Sequence, residues 1–141
     1  MRFGFSILIA ATLLLAACER QDAPALDQQL YIWQRQWTPT HDAALRESRE
    51  SFSTLRVLAL QAFPNDGWHR AQIDAPLLKR DGRPLIAVVR LDGQLKALDQ
   101  RQVNTQILQM LADWQAQGLT VSGVEIDHDA GTARLPAYAQ L

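Results

Sequence analysis

Apolar positions in this chain recur with two different periods. In Leu30-Tyr31-Ile32-Trp33, in residues 55–63 and in Leu85-Ile86-Ala87-Val88-Val89-Arg90-Leu91 they are nearly continuous and rich in β-branched and aromatic side chains. All three read as strands, and the last has the pattern of a parallel sheet covered on both faces. Between these runs Val103, Ile107, Met110, Leu111 and Trp114 form one stripe at helical spacing. The pattern predicts a first strand over residues 30–37 and a helix over 39–52 capped by Thr38 or Thr40. A second strand over 55–63 ends at the turn signal Pro64-Asn65-Asp66-Gly67. A short helix over 75–81 has Asp74 as cap, Pro76 in its first turn and Gly82 behind it. A third strand over 85–91, a helix from Asp99 to Gln117 stopped by Gly118, a fourth strand over 119–127 and a last helix over 134–141 complete the series.

Strands alternating with helices imply right-handed βα units around a parallel sheet. Four such units are half of an eightfold barrel. The expected fold is therefore α/β, the N-terminal half of a (β/α)8 TIM-type barrel over residues 29–141, with this chain a fragment of a longer one.

The first residues have a different character. Arg2 precedes an apolar run from Phe3 to Leu15, too short to span a bilayer. Leu15-Ala16-Ala17-Cys18 follows it and is similar to the bacterial lipobox, whose cysteine is acylated and becomes the mature N-terminus. The expectation is a lipoprotein signal peptide over residues 1–17, a lipidated Cys18 with a polar tether to residue 28, and a periplasm-facing location on the inner or outer membrane of a bacterial envelope. The formal charge of −1, with no basic cluster on one face, excludes the electrostatic footprint of a nucleic-acid binder.

The candidate chemistry lies in Val124-Glu125-Ile126-Asp127-His128-Asp129-Ala130-Gly131. Side chains alternate along a strand, so Glu125, Asp127 and Asp129 share one face while Val124 and Ile126 pack on the other. Carboxylates out of bulk water need a cation, a ligand or solvent beside them. Arg90 and Asp92 share a face at the end of the preceding strand, and Arg90 is the expected cation. In a barrel this face lines the interior near the carboxyl ends of the strands, where active sites of that fold sit. Asp127, with an acid two residues away on each side, is expected to be the best shielded. The competing expectation is a buried ion pair of Arg90 with Glu125 or Asp127 that closes the end of the barrel.

Trp37 and Trp68 are candidates for stacking on a sugar, alongside Trp33, with core packing as the alternative. His69 is a candidate base in the loop after the second strand. Asp127-His128-Asp129 starts like a calcium loop, but Gly131 stands where another oxygen ligand is needed. No zinc spacing, phosphate loop or nucleophile elbow occurs, so neither metal nor cofactor is expected.

Tyr31-Ile32-Trp33-Gln34-Arg35-Gln36-Trp37, Val89-Arg90-Leu91-Asp92-Gly93, Gly123 to Asp129 and Thr132 to Tyr138 resemble an uncharacterised family of bacterial exported proteins, domain of unknown function 3142. The resemblance implies no particular activity. Ser122-Gly123-Val124-Glu125-Ile126-Asp127-His128-Asp129 is also similar to the strand-four motif of family 18 chitinases, keeping its glycine and its alternating acids. Ser122, Glu125 and Asp129 differ from the residues of that motif. This second likeness implies chemistry on a glycosidic bond, with Glu125, Asp127 and Asp129 catalytic and Arg90, Asp92, Trp37 and Trp68 binding substrate. The expected function is thus a lipid-anchored envelope protein that binds or cleaves a saccharide. The alternative is a structural or interaction lipoprotein whose barrel is catalytically dead.

Overall fold

The structure, a computed structural model, describes residues 26–141. Its elements are β1 (Gln29–Ile32), α1 (Thr40–Glu47) running into a 3-10 turn (Ser48–Glu50), β2 (Thr54–Phe63), β3 (Gly67–Arg70), α2 (Ala75–Asp81), β4 (Leu85–Asp92), α3 (Gln100–Ala116), β5 (Gly123–Asp129), a 3-10 turn (Thr132–Arg134) and α4 (Leu135–Tyr138). The fold is α/β. β1, β2, β4 and β5 are parallel neighbours in chain order, and β3 pairs antiparallel with β2.

Local chemistry explains the helix ends. Asp74 Oδ1 accepts the Leu77 N–H at 2.9 Å and Gly82, at φ 73°, closes α2. Asp99 accepts from Arg101 N and Gln102 N at the start of α3. α1 departs from the expected capping, because the Thr38 hydroxyl turns to Thr40 Oγ1 at 2.7 Å and its N–H donates to His41 Nδ1 at 3.0 Å. No side chain caps the helix, and it spans residues 40–47 rather than 39–52.

β1 is shorter than expected because of the hairpin. β1 pairs with residues 54–57 of β2, whereas β3 occupies the same strand at residues 60–63. Residues 33–37 are thereby displaced from the sheet, apart from a bridge between Gln36 and Gln72. β5 runs from Gly123 to Asp129 rather than from Leu119 to Asp127, so all three acids lie within the strand.

Every helix of the core packs on one face of the sheet. Leu55, Val57, Leu60, Leu85, Ala87, Val89 and Leu91 meet Leu45 of α1, Leu77 and Leu78 of α2, and Val103, Met110 and Trp114 of α3 in one cluster. Complete burial of such side chains contributes about 1.5–3 kcal/mol each. Leu58 and Val88 are equally buried but lie outside that cluster, on the other face. Beneath the core, at the amino end of β4, the Arg83 guanidinium grips Asp81 through Nε at 2.7 Å and Nη2 at 2.9 Å, and also donates to Leu45 O and Phe52 O. Among the described residues the buried ion pair is here, and not at Arg90, which with Asp127 is about one-third exposed.

Candidate functional site

Paired residues of neighbouring strands share a face. The register therefore gathers Tyr31, Arg56 and Ile86 in one row, Leu58, Val88 and Glu125 in the next, and Gln61, Arg90 and Asp127 above them, with Asp92 and Asp129 at the carboxyl end. Among the described residues this is the face without helices. A bulge at Ala59 shifts the register between Leu58 and Leu60. It resets the alternation of β2, so that Gln61 rather than Leu60 stands beside Arg90. His69 pairs with Gln61 and extends the same row onto β3.

The face is concave. Tyr31 and Glu125 lie three strand spacings and two residues apart, about 16 Å between Cα atoms in a flat sheet from which side chains stand upright. Yet the Tyr31 hydroxyl on β1 donates to both oxygens of Glu125 on β5, at 2.9 and 3.1 Å. The buried Leu58 and Val88 form the floor of this hollow.

Two arginines organise the carboxylates. Arg56 pairs with Glu125, donates to Gln29 Oε1 and lies with its Cζ 5.3 Å from the centre of the Tyr31 ring. Arg90 donates from Nη2 to Asp129 Oδ2 at 2.7 Å and brings Nη1 within 3.9 Å of Asp127 Oδ2. Its Cζ stands 5.6 Å from the centre of the Trp33 ring, within cation–π range. The exposed rings of Tyr31 and Trp33 stack on each other at 5.5 Å and 8°. A connected surface thus runs from Trp33 and Tyr31 over both guanidinium groups to the three acids. The buried Gln61 Oε1 has no hydrogen-bond partner among the described residues.

Several expected residues take other places. Asp92 accepts the Gln94 N–H at 2.7 Å and shapes the turn after β4, so its carboxylate belongs to the backbone. Trp37 and Trp68 pack against the helix-side core, Trp68 because it pairs with Ala62 on that face. They are separated from the acids by the sheet itself. Trp37 also stacks on His41 at 5.1 Å. The best-shielded acid is Glu125, its side chain 25% exposed, against 34% for Asp127 and 67% for Asp129. The middle of the strand is covered by Tyr31 and Arg56, which outweighs the flanking acids. His128 turns to the helix side, its ring against Tyr138. Among the described residues no group of His, Asp and Glu side chains is arranged to hold a metal ion.

Tyr31, Arg56 and Gln61 join the site without having been singled out from the sequence. Arg56 had a readable signal, since a lone charge inside the apolar run Leu55-Arg56-Val57 is the same anomaly that marks Arg90. Cys18 lies outside the described residues. Among those described, no helix is long and apolar enough to cross a membrane.

Residues 81–141 match a family described as Domain of unknown function (DUF3142). The stretch contains Arg90 and all three acids, while Tyr31, Trp33 and Arg56 precede it. The family resemblance carried by Val89 to Gly93 and Gly123 to Asp129 therefore holds over this part of the chain. No curated protein and no solved structure matches the chain.

Proposed function

We propose that the concave, helix-free face of the sheet is a saccharide site, carried on the first half of a (β/α)8 barrel in a lipid-anchored protein of the bacterial envelope. The observation that carries this reading is the joined array of two exposed aromatic rings, two arginines and three carboxylates on one face of the parallel strands, running from Arg56 near the start of β2 to Asp129 at the end of β5. Rings offer apolar platforms to the C–H faces of a sugar, and carboxylates accept from its hydroxyls. The chain-order parallel strands, the helices on one face and the curvature support the half barrel.

Glycosidic cleavage needs one positioned carboxylate and one that moves a proton. Glu125, fixed by Tyr31 and Arg56, suits the first role. Asp127, with only one distant Arg90 contact, suits the second. A non-catalytic binding role is favoured by a different fact: Glu125 and Asp129 are each already paired with an arginine.

The test is binding of the full chain to an array of bacterial envelope saccharides, with release of reducing ends followed in parallel. Saturable binding weakened by Trp33→Ala supports the site, and turnover decides between enzyme and binding module. Binding to no saccharide, or binding indifferent to Trp33→Ala, refutes it. The membrane location rests on the lipobox of Cys18 and is tested separately below.

A further inference from the structure

A cavity of about 490 Å3 opens between the segment that follows β1 and the end of β3, lined by Arg35, Gln36, His69, Arg70 and Gln72. No acidic side chain lines it. Its walls are held by backbone hydrogen bonds: Gln72 N donates to Arg35 O at 2.6 Å and Trp37 N to Gln72 O at 3.2 Å. Two of the basic groups are anchored from outside, Arg70 by Asp113 on α3 and His69 by Asp66 at 2.8 Å. Arg35 has no ion-pair partner among the described residues.

We propose that this cavity binds an oxyanion: a carboxylate, sulfate or phosphate group. The lining carries two guanidinium groups and no carboxylate. Arg35 presents a planar fork that matches two oxygens of such a group, the amides of Gln36 and Gln72 add N–H donors, and Arg70 supplies a second guanidinium already oriented by Asp113. No carboxylate lines the cavity to hold a cation, and Arg35 is the charge an anion would meet. The backbone bridge between residues 35–37 and residue 72 fixes where the Arg35, Gln36 and Gln72 side chains start. His69 both lines the cavity and shares a sheet row with Gln61, Arg90 and Asp127, so a bound anion would stand at the rim of the concave face. The proposal goes beyond the saccharide reading and holds whether or not that reading does.

Isothermal titration of the full chain with sodium sulfate and with sodium phosphate, at constant ionic strength, is expected to show one-site saturation. Arg35→Gln is expected to weaken it about tenfold or more, because a charge-assisted bond is lost. The melting temperature without anion should stay unchanged. Arg35→Lys, which keeps the charge and loses the fork, should fall between the two. Titration with glucuronate against glucose distinguishes the sources. Glucuronate binding that is lost in Arg35→Gln, with glucose silent, assigns the site to an acidic saccharide; sulfate or phosphate binding with glucuronate silent assigns it to a free oxyanion. Binding of none of these anions, or binding that Arg35→Gln leaves intact, overturns the proposal.

Discussion

Replacing Asp81 by asparagine should be among the most damaging single changes in this domain. The Arg83 and Asp81 side chains are only 6% and 3% exposed and meet through two hydrogen bonds, with Arg49 as a second, more exposed partner at 3.1 Å. The substitution leaves a buried guanidinium without its counter-charge, at a cost of about 3–5 kcal/mol. For a domain of this size that corresponds to a fall of about 10–25 °C in melting temperature. The pH dependence gives an independent check. Burial pushes the Asp81 carboxyl up, but the hydrogen bonds from Arg83 and the charges of Arg83 and Arg49 outweigh it and hold the group below its ordinary value of 3.8. A carboxyl with a depressed folded-state pKa contributes stability that is present above the unfolded value and lost as pH falls through the folded one. The native protein should therefore lose stability steeply below about pH 4, and Asp81→Asn should flatten that limb. Urea unfolding between neutral pH and pH 2.5 measures both effects. A loss under about 1 kcal/mol at neutral pH, or an acid limb unchanged by the substitution, would refute the assignment of this pair as the structural ion pair.

Gly93 offers a test of how the rim is positioned. A Cβ there would collide with Asp129 O and fall 2.8 Å from Ala130 Cα, so Gly93→Ala must push the end of β5 away. Destabilisation of about 1–3 kcal/mol with faster amide exchange at residues 127–130 is expected, and unchanged exchange would contradict it. Asp74→Ala removes the cap of α2 and should cost about 1 kcal/mol in urea unfolding, against no measurable change if the cap is idle. Cys18→Ser should abolish fatty-acid labelling of the protein in bacteria, and labelling that persists would sink the lipid anchor.

What could be read from the sequence was local. The bounds of α2 follow from Asp74, Pro76 and Gly82, and those of α3 from Asp99 and Gly118, all within a turn of the helix ends. The shared face of Glu125, Asp127 and Asp129 follows from the two-residue period of a strand. Non-local competition was not legible. Nothing in Trp33 to Trp37 announces that the four residues of β3 will displace them from the edge of β2, and Gly67-Trp68-His69-Arg70 is too short and too polar to stand out as a strand. The bulge at Ala59, which turns Gln61 toward Arg90, leaves no mark on an unbroken apolar run. Tyr31 joins Glu125 only because the sheet curves, a property of the whole sheet rather than of either strand. Trp37 and Trp68 illustrate the opposite error, since an aromatic near a rim can face either side and here both face the core.

The central claim is that the carboxylates of β5 serve a ligand rather than the fold. Asp127 decides it, because its side chain and that of Arg90 are both about one-third exposed and lie 3.9 Å apart. An exposed pair of this kind contributes about 0–1 kcal/mol, whereas a structural buried pair is worth about 3–5 kcal/mol when broken. The measurement is the unfolding free energy of full-length Asp127→Asn beside its affinity for the saccharide that the native protein selects from the array. The expected result is stability within about 1 kcal/mol of native and saccharide binding lost; unfolding by about 3 kcal/mol or more, or native binding in the variant, would contradict the claim.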